Sequence, residues 1–266
     1  MPIIKTPRGL DWNYASAGDG ETLFFIHGFA GGLRLWQAQR NHFQTGYSVV
    51  AVDLPGHGQS AWLPSSLNDL ALDLKFIWQQ LDLHQVNVVA SSFGGLLALK
   101  LFRICPERFG RMSFVGALPR FTRTVDYPAG LDIDKIRRLS QQFKDDYPGM
   151  LDIFFRSLFS RRDREDPSFA AVKALRAQDK LPLEEAAQTY LNILEKEDLR
   201  DVCAGLPYRV QFISGTEDYI CPVEVMPWLR EAVPHGRFDM VEGAGHLPFL
   251  SRPIEYNQHL EDFLRA

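Results

Sequence analysis

Five short, mostly apolar runs and a sixth, mixed candidate, each ending at small or polar turn residues, constrain the fold of this chain more than any other feature. They are Leu23–Ile26, ending at His27-Gly28; Tyr47–Val52, ending at Asp53; Val86–Val89, ending at Ala90; Met112–Val115, ending at Gly116; Val210–Ile213, ending at Ser214-Gly215; and Arg237–Val241, ending at Glu242-Gly243. β-Branched and aromatic residues bounded by turn formers read as strands. Several runs are apolar at consecutive rather than alternate positions, so both faces of those strands must be covered. Between the runs lie patterns with apolar residues three and four apart: Leu67–Leu81 (Leu70, Leu74, Ile77 and Leu81 on one face), Gly94–Cys105, Val223–Val233 and Ile254–Leu264. Alternating two-sided strands and helices predict an α/β fold, a mostly parallel sheet flanked by helices on both sides.

The alternation breaks between about Pro119 and Val202. There the patterns are helical: Ile133–Phe143, Met150–Phe159, Phe169–Ala177 and Leu183–Leu194, with no convincing strand between them. The spacing predicts a core made of residues 1–118 and 203–266, with residues 119–202 inserted as a helical cap. Ligands of open parallel sheets bind at the carboxyl ends of the strands. A cap leaving from one such end would roof that crevice.

The third run carries a second constraint. In Val88-Val89-Ala90-Ser91-Ser92-Phe93-Gly94-Gly95 a serine stands where a buried strand turns into a helix. A tight turn there projects the Ser92 hydroxyl away from the sheet, with a helix N-terminus behind it. This is the specification of a nucleophile elbow, which needs very small residues two places before and after the serine. Gly94 meets that need, and Ala90 is the smallest departure from it.

Two other polar residues follow strand ends: Asp218, after Ser214-Gly215-Thr216-Glu217, and His246, in Gly243-Ala244-Gly245-His246. Nucleophilic acyl chemistry needs three roles: Ser92 to attack a carbonyl carbon, His246 to take and return a proton, and Asp218 to fix the imidazole tautomer and stabilise the imidazolium. A developing oxyanion needs two donors. The backbone N–H of Phe93, beside the nucleophile, would be one, and that of Phe29, in His27-Gly28-Phe29-Ala30-Gly31-Gly32, the other. His27 is expected to brace its loop rather than react. The rings of Phe29, Phe93, Phe121 and Phe143, with Leu247 and Phe249, are candidates to line an acyl channel.

Other classes find little support. The formal charge of −4 gives no reason to expect a nucleic-acid partner. Three cysteines, Cys105, Cys203 and Cys221, are widely spaced and odd in number, suggesting neither a disulfide framework nor a zinc cluster. No His-Glu-x-x-His set, dinucleotide fingerprint or P-loop occurs, so no metal and no cofactor are expected. Residues 1–8 lack the apolar stretch of a secretory signal, and no membrane span is found. A monomer in a reducing cytoplasm is the default.

The residues described so far resemble the α/β-hydrolase superfamily over essentially the whole chain. Asp53-Leu54-Pro55-Gly56-His57-Gly58-Gln59-Ser60 and Gly215-Thr216-Glu217-Asp218 add to that resemblance, and the order Ser92, Asp218, His246 is that of its triad. Within the superfamily the chain resembles the biotin-pathway carboxylesterases that demethylate pimeloyl-acyl-carrier-protein methyl ester. Ser91–Leu96, Pro106–Phe109, Arg120–Thr122, Tyr127–Leu131, Glu197–Asp201 and Ala244–Phe249 carry that likeness, while Ala90 and Ser91 depart from the usual glycine and aromatic. The resemblance implies a serine carboxylesterase acting on a carrier-linked acyl ester. Ten basic and seven acidic residues between Arg120 and Arg164, an excess of three, suit an acidic acyl carrier protein docking at Arg137, Arg138, Arg156 and Arg162. A generalist esterase, thioesterase or C–C bond hydrolase, and a non-catalytic ligand sensor on the same fold, remain alternatives.

Overall fold

The computed structural model describes residues 2–207 and 209–266. Its strands are β1 (Ile3–Lys5), β2 (Asp11–Ala17), β3 (Glu21–Ile26), β4 (Tyr47–Val52), β5 (Val86–Ser91), β6 (Phe109–Val115), β7 (Val210–Gly215) and β8 (Arg237–Val241). They form one sheet of order β1-β2-β4-β3-β5-β6-β7-β8. From β4 onward the pairs are parallel, with Ile26 opposite Ala90 and Ala90 opposite Phe114. The period of two divides each central strand between two cores. Phe24, Ile26, Val50, Val52, Val86, Val88 and Ala90 join one, and Leu23, Phe25, Val49, Ala51 and Val89 the other. This two-sided burial is why these strands read as continuous apolar runs.

The antiparallel edge formed by β1 and β2 was not anticipated from the sequence. Polar Asp11, Asn13 and Ser16 interrupt β2, yet Asn13 is fully buried because its amide donates to Asp53 Oδ2 at 2.7 Å. A hydrogen bond across strands thus replaces the apolar signal.

The helices are α1 (Gln37–Phe43), α2 (Leu67–Gln80), α3 (Phe93–Ile104), α4 (Ile133–Asp145), α5 (Tyr147–Ser157), α6 (Arg161–Glu165), α7 (Phe169–Arg176), α8 (Glu184–Lys196), α9 (Arg200–Ala204), α10 (Met226–Ala232), α11 (Pro248–Ser251) and α12 (Pro253–Arg265). α2 starts at a capping box in which Ser66 and Asp69 satisfy each other's backbone amides. α4 to α9 all lie between β6 and β7, and α4 packs on both α5 and α8. Arg120, bonded to Asp198 at 2.6 Å, ties the two ends of this helical segment together. No helix among the described residues is long and apolar enough to cross a membrane.

Candidate active site

Ser92 sits between β5 and α3 with φ 52° and ψ −118°, a conformation that costs a non-glycine residue about 1–3 kcal/mol. The turn is held by Ser92 N–H donating to Val115 O and Gly95 N–H donating to Ser92 O, both at 2.9 Å. Gly94 is obligatory, since a Cβ there would lie 2.6 Å from His27 O and 2.7 Å from Ile26 O. Ala90, in contrast, is fully buried, its methyl part of the same apolar core that holds Phe93 and Leu96. The departure from glycine at position 90 is therefore absorbed by packing.

His246 and Asp218 are joined by a 2.8 Å hydrogen bond between Nδ1 and Oδ2, and both side chains are buried. Asp218 Oδ1 accepts from the Ile220 and Cys221 amides at 2.8 Å each, so every oxygen of the carboxylate has a partner. With Nδ1 engaged, Nε2 is the ring nitrogen left for proton traffic. Gly116, at φ +51°, makes room for the pair: a Cβ there would stand 2.8 Å from His246 Nδ1 and 3.2 Å from Asp218 Oδ2. Cys221 Sγ lies within 4.8 Å of both groups, the one potential metal-binding trio among the described residues. Burial drives its thiol pKa well above normal, which opposes the thiolate a metal would require.

The His27–Gly32 loop is set by a neutral histidine. Leu54 N–H donates to His27 Nε2 at 2.9 Å, so the proton resides on Nδ1, which donates to Gly28 O at 2.8 Å. Burial lowers the His27 pKa, favouring this uncharged form. Gly31 N–H also donates to Gly28 O. Two donors on that carbonyl fix the plane of the Gly28–Phe29 peptide, and in a trans peptide the Phe29 N–H then points the opposite way. Phe93 is the first residue of α3, so its amide has no carbonyl partner inside the helix.

Ser92 stands at the junction of two cavities. The larger, about 350 Å³, is lined by Phe29, Phe121, Leu131, Ile136, Leu139, Met150, Phe154, Leu191, Leu194 and Ile220, with Lys135 and Tyr219 toward the outside. The smaller, about 20 Å³, is a slot walled by Gly28, Phe29, Ala30, Leu35, His246, Leu247 and Phe249. Of the two legs of a serine–histidine–aspartate relay, His246–Asp218 is closed by a hydrogen bond; Ser92 and His246 share the walls of the slot.

Several sequence expectations need correction. Phe93 does not line the large cavity: as the first helical residue it turns onto Tyr190 of α8, ring to ring at 4.4 Å and 4°. Phe143 is also fully buried and off the cavity wall: α4 lines the cavity with Ile136 and Leu139, whereas Phe143 packs against the rings of Phe29, at 6.0 Å, Tyr147 and Phe154. Leu247 walls the slot rather than the large cavity. Arg137 is not a free cation, since Glu195 of α8 accepts from its guanidinium at 2.8 Å. Arg138 and Arg156 are exposed, and exposed Arg162 lies over Gly243.

Other residues escaped sequence reasoning. Leu158 O accepts from His246 N–H at 2.7 Å, Asp163 Oδ2 from Gly245 N–H at 2.8 Å, and Gly243 O from the Ser160 hydroxyl at 2.7 Å. The helical segment thus anchors the histidine loop. Its sequence trace is the capping pair Ser160 and Asp163 at the start of α6.

Residues 21–253 match the alpha/beta hydrolase fold family, and the chain belongs to it. The pimeloyl-[acyl-carrier protein] methyl ester esterase of Nitrosomonas europaea is 27% identical over 241 residues, 91% of this chain and 94% of that one. The protein of the same name from Xanthomonas campestris pv. campestris is 29% identical over 264 residues, covering 94% and 97%. Among solved structures, an esterase from Exiguobacterium antarcticum superposes with a TM-score of 0.89 at 25% identity, over 99% of both chains. A bromoperoxidase from Bacillus anthracis shares the fold with a TM-score of 0.89 at 23% identity and full coverage of both.

Proposed function

We propose that this protein is a serine carboxylesterase that hydrolyses a small-alcohol ester of an acyl chain, with a carrier-protein-linked pimeloyl methyl ester as its leading substrate in biotin synthesis. The observation that carries the proposal is Ser92 at a strained elbow, between an apolar cavity of about 350 Å³ and a slot of about 20 Å³ that holds His246. The large cavity suits an acyl chain. The slot has space for about one water-sized molecule, fitting a methanol-sized leaving group and then the hydrolytic water.

In this reading Ser92 Oγ attacks the ester carbonyl while His246 Nε2 takes its proton. The oxyanion is received by the Phe29 and Phe93 amides, aimed by the elements described above. His246 returns the proton to the departing alkoxide. A water then enters, His246 deprotonates it, and attack on the acyl-serine releases the free acid and restores Ser92. Asp218 keeps the ring oriented and stabilises the imidazolium. The relatives named for pimeloyl-carrier methyl ester support the substrate, and exposed Arg138 and Arg156 support a carrier that docks on the helical segment. Three buried free thiols suit a reducing compartment such as the cytoplasm.

A generalist esterase is the second reading, favoured by the Arg137–Glu195 pair, which removes one cation from the docking surface. Ser92→Ala should abolish phosphonate labelling and ester turnover with the fold retained; turnover by that variant would overturn the assignment. Comparing carrier-linked and free methyl esters separates the two readings, and growth of a methyl-esterase-deficient strain without biotin tests the pathway.

A further inference from the structure

Tyr190, on α8 of the inserted helical segment, touches the supports of both oxyanion amides at once. Its ring lies on Phe93 at 4.4 Å and 4° on one side and on His57 at 5.1 Å and 19° on another. Its hydroxyl donates to Pro55 O at 3.0 Å, a carbonyl that also accepts from His57 Nδ1 at 3.1 Å. Tyr190 and Phe93 are both fully buried. Burial holds His57 neutral, with its pKa down to about 3, so this stack keeps one charge state at working pH.

Each contact leads to one donor. Phe93 begins α3, and clamping its ring fixes the rotation of the first helical turn and hence of its own N–H. The Asp53–Ser60 loop, clamped at Pro55 and His57, presents the Leu54 amide to His27, and His27 sets the Gly28 carbonyl that aims the Phe29 N–H. A second tie, Leu183 N–H donating to Gly56 O at 2.8 Å, fastens the start of α8 to the same loop. Leu191, the residue after Tyr190, lines the acyl cavity.

We infer that Tyr190 is a positioning residue for the oxyanion site, through which α8 holds the Phe29 and Phe93 amides in register. The helical segment is then part of the apparatus that stabilises charge as well as the wall that holds the acyl chain. The inference rests on the proposed role of Ser92 and the two amides. Donor alignment matters most when charge has developed on oxygen, so its loss lowers kcat more than it raises KM.

The test uses Tyr190→Leu and Tyr190→Phe in the full chain, with p-nitrophenyl acetate, an ester too short to depend on the acyl cavity. Phosphonate labelling to its end point counts competent sites. Per site, Tyr190→Leu should lose roughly 10- to 100-fold in kcat, less than the 10²- to 10³-fold typical of deleting a donor outright, with KM changed less than about twofold. Tyr190→Phe keeps the stack and loses only the Pro55 bond, so a loss of about threefold is expected, in line with one neutral hydrogen bond. The inhibition constant of a trifluoromethyl ketone, which forms an anionic tetrahedral adduct, should weaken across the series in proportion to the fall in kcat/KM. Unchanged per-site kcat, a pure rise in KM, or a ketone affinity that ignores the substitutions would each overturn the inference. If Tyr190→Leu does not fold, the ketone and kcat comparison on Tyr190→Phe decides. An active Ser92→Ala variant would instead refute the underlying reading, whatever Tyr190 does.

Discussion

Replacing Gly116 with alanine should disable the histidine–aspartate pair while leaving the rest of the molecule folded. The added methyl would lie 2.8 Å from His246 Nδ1 and 2.9 Å from Cε1. Carbon contacts are favourable near 3.5–4.0 Å, so the overlap is about 0.7 Å or more. Neither partner can retreat easily, because the His246 and Asp218 side chains are 3% and 0% exposed. The left-handed backbone at φ +51° adds a penalty of about 1–2 kcal/mol for alanine, and overpacking adds about 1–3 kcal/mol. The expected destabilisation is thus about 2–5 kcal/mol. Displacing the ring from Asp218 stops short of the roughly 10⁴-fold loss produced by a wrong histidine tautomer, so kcat per titrated site should fall about 10²- to 10³-fold. Gly110 is the control: its Cβ would crowd Asn87 Oδ1 at 2.7 Å and Gln85 O at 2.8 Å, outside both cavities. Gly110→Ala should lose stability without losing activity per site. Denaturant melts and burst titration with an activated ester measure both quantities. A Gly116→Ala enzyme with per-site kcat within about threefold of the parent would refute the steric argument.

Asp179 gives a pH signature. Burial and the nearby Asp53 carboxylate raise its pKa to about 6 despite a 3.0 Å ion pair with Arg34. The folded state therefore binds this proton more tightly than the unfolded chain, and the group's contribution to stability falls as pH rises from about 4 to about 6. Relative to Asp179→Asn, the parent should gain about 1–2 kcal/mol on acidification through that window after solvent screening, and a pH-independent difference would count against the assignment. Arg138→Glu with Arg156→Glu should raise KM for a carrier-linked ester and leave a free methyl ester unaffected, whereas equal effects on both would argue against docking there. Leu194→Trp, which narrows the large cavity from α8, should cut kcat/KM roughly tenfold for hexanoyl esters relative to acetyl esters; equal losses on both would exclude that cavity as the acyl site. Burial raises the thiol pKa of Cys105 to about 11 and of Cys203 to about 12, so iodoacetamide at neutral pH should alkylate neither until the protein is unfolded, as mass spectrometry can check.

Short-range features carried much of the fold and part of the site. Strands buried on both faces must be largely apolar, so β3 to β7 are visible as runs, and the helices between them as repeats of three and four. β8, a half-buried edge strand with Arg237 and Asp239, shows only as a mixed segment ending at a turn. Ser92, Asp218 and His246 stand at strand ends, a position that chain order alone exposes. Polar β2 was hidden because Asn13 is satisfied by Asp53, some 40 residues away in sequence. The sidedness of the inserted helices was equally hidden. An amphipathic pattern marks a buried face without saying whether core, neighbouring helix or substrate will cover it. Phe143 of α4 thus looked like a pocket residue and proves to be packed against Phe29, while Phe93, on core helix α3, is covered by Tyr190 of the inserted α8.

The sequence by itself thus determined the α/β architecture and the order of the chemical groups, because strand burial and turn sterics act over a few neighbouring residues, and its motifs carried the family resemblance. Only the tertiary structure decided that Gly116 makes way for the histidine–aspartate pair, that Leu158 and Asp163 hold the histidine loop, and that Tyr190 stacks on Phe93. Those relations join residues far apart in the chain, and no local pattern records which distant side chain will occupy a given space once the sheet and its covering helices close.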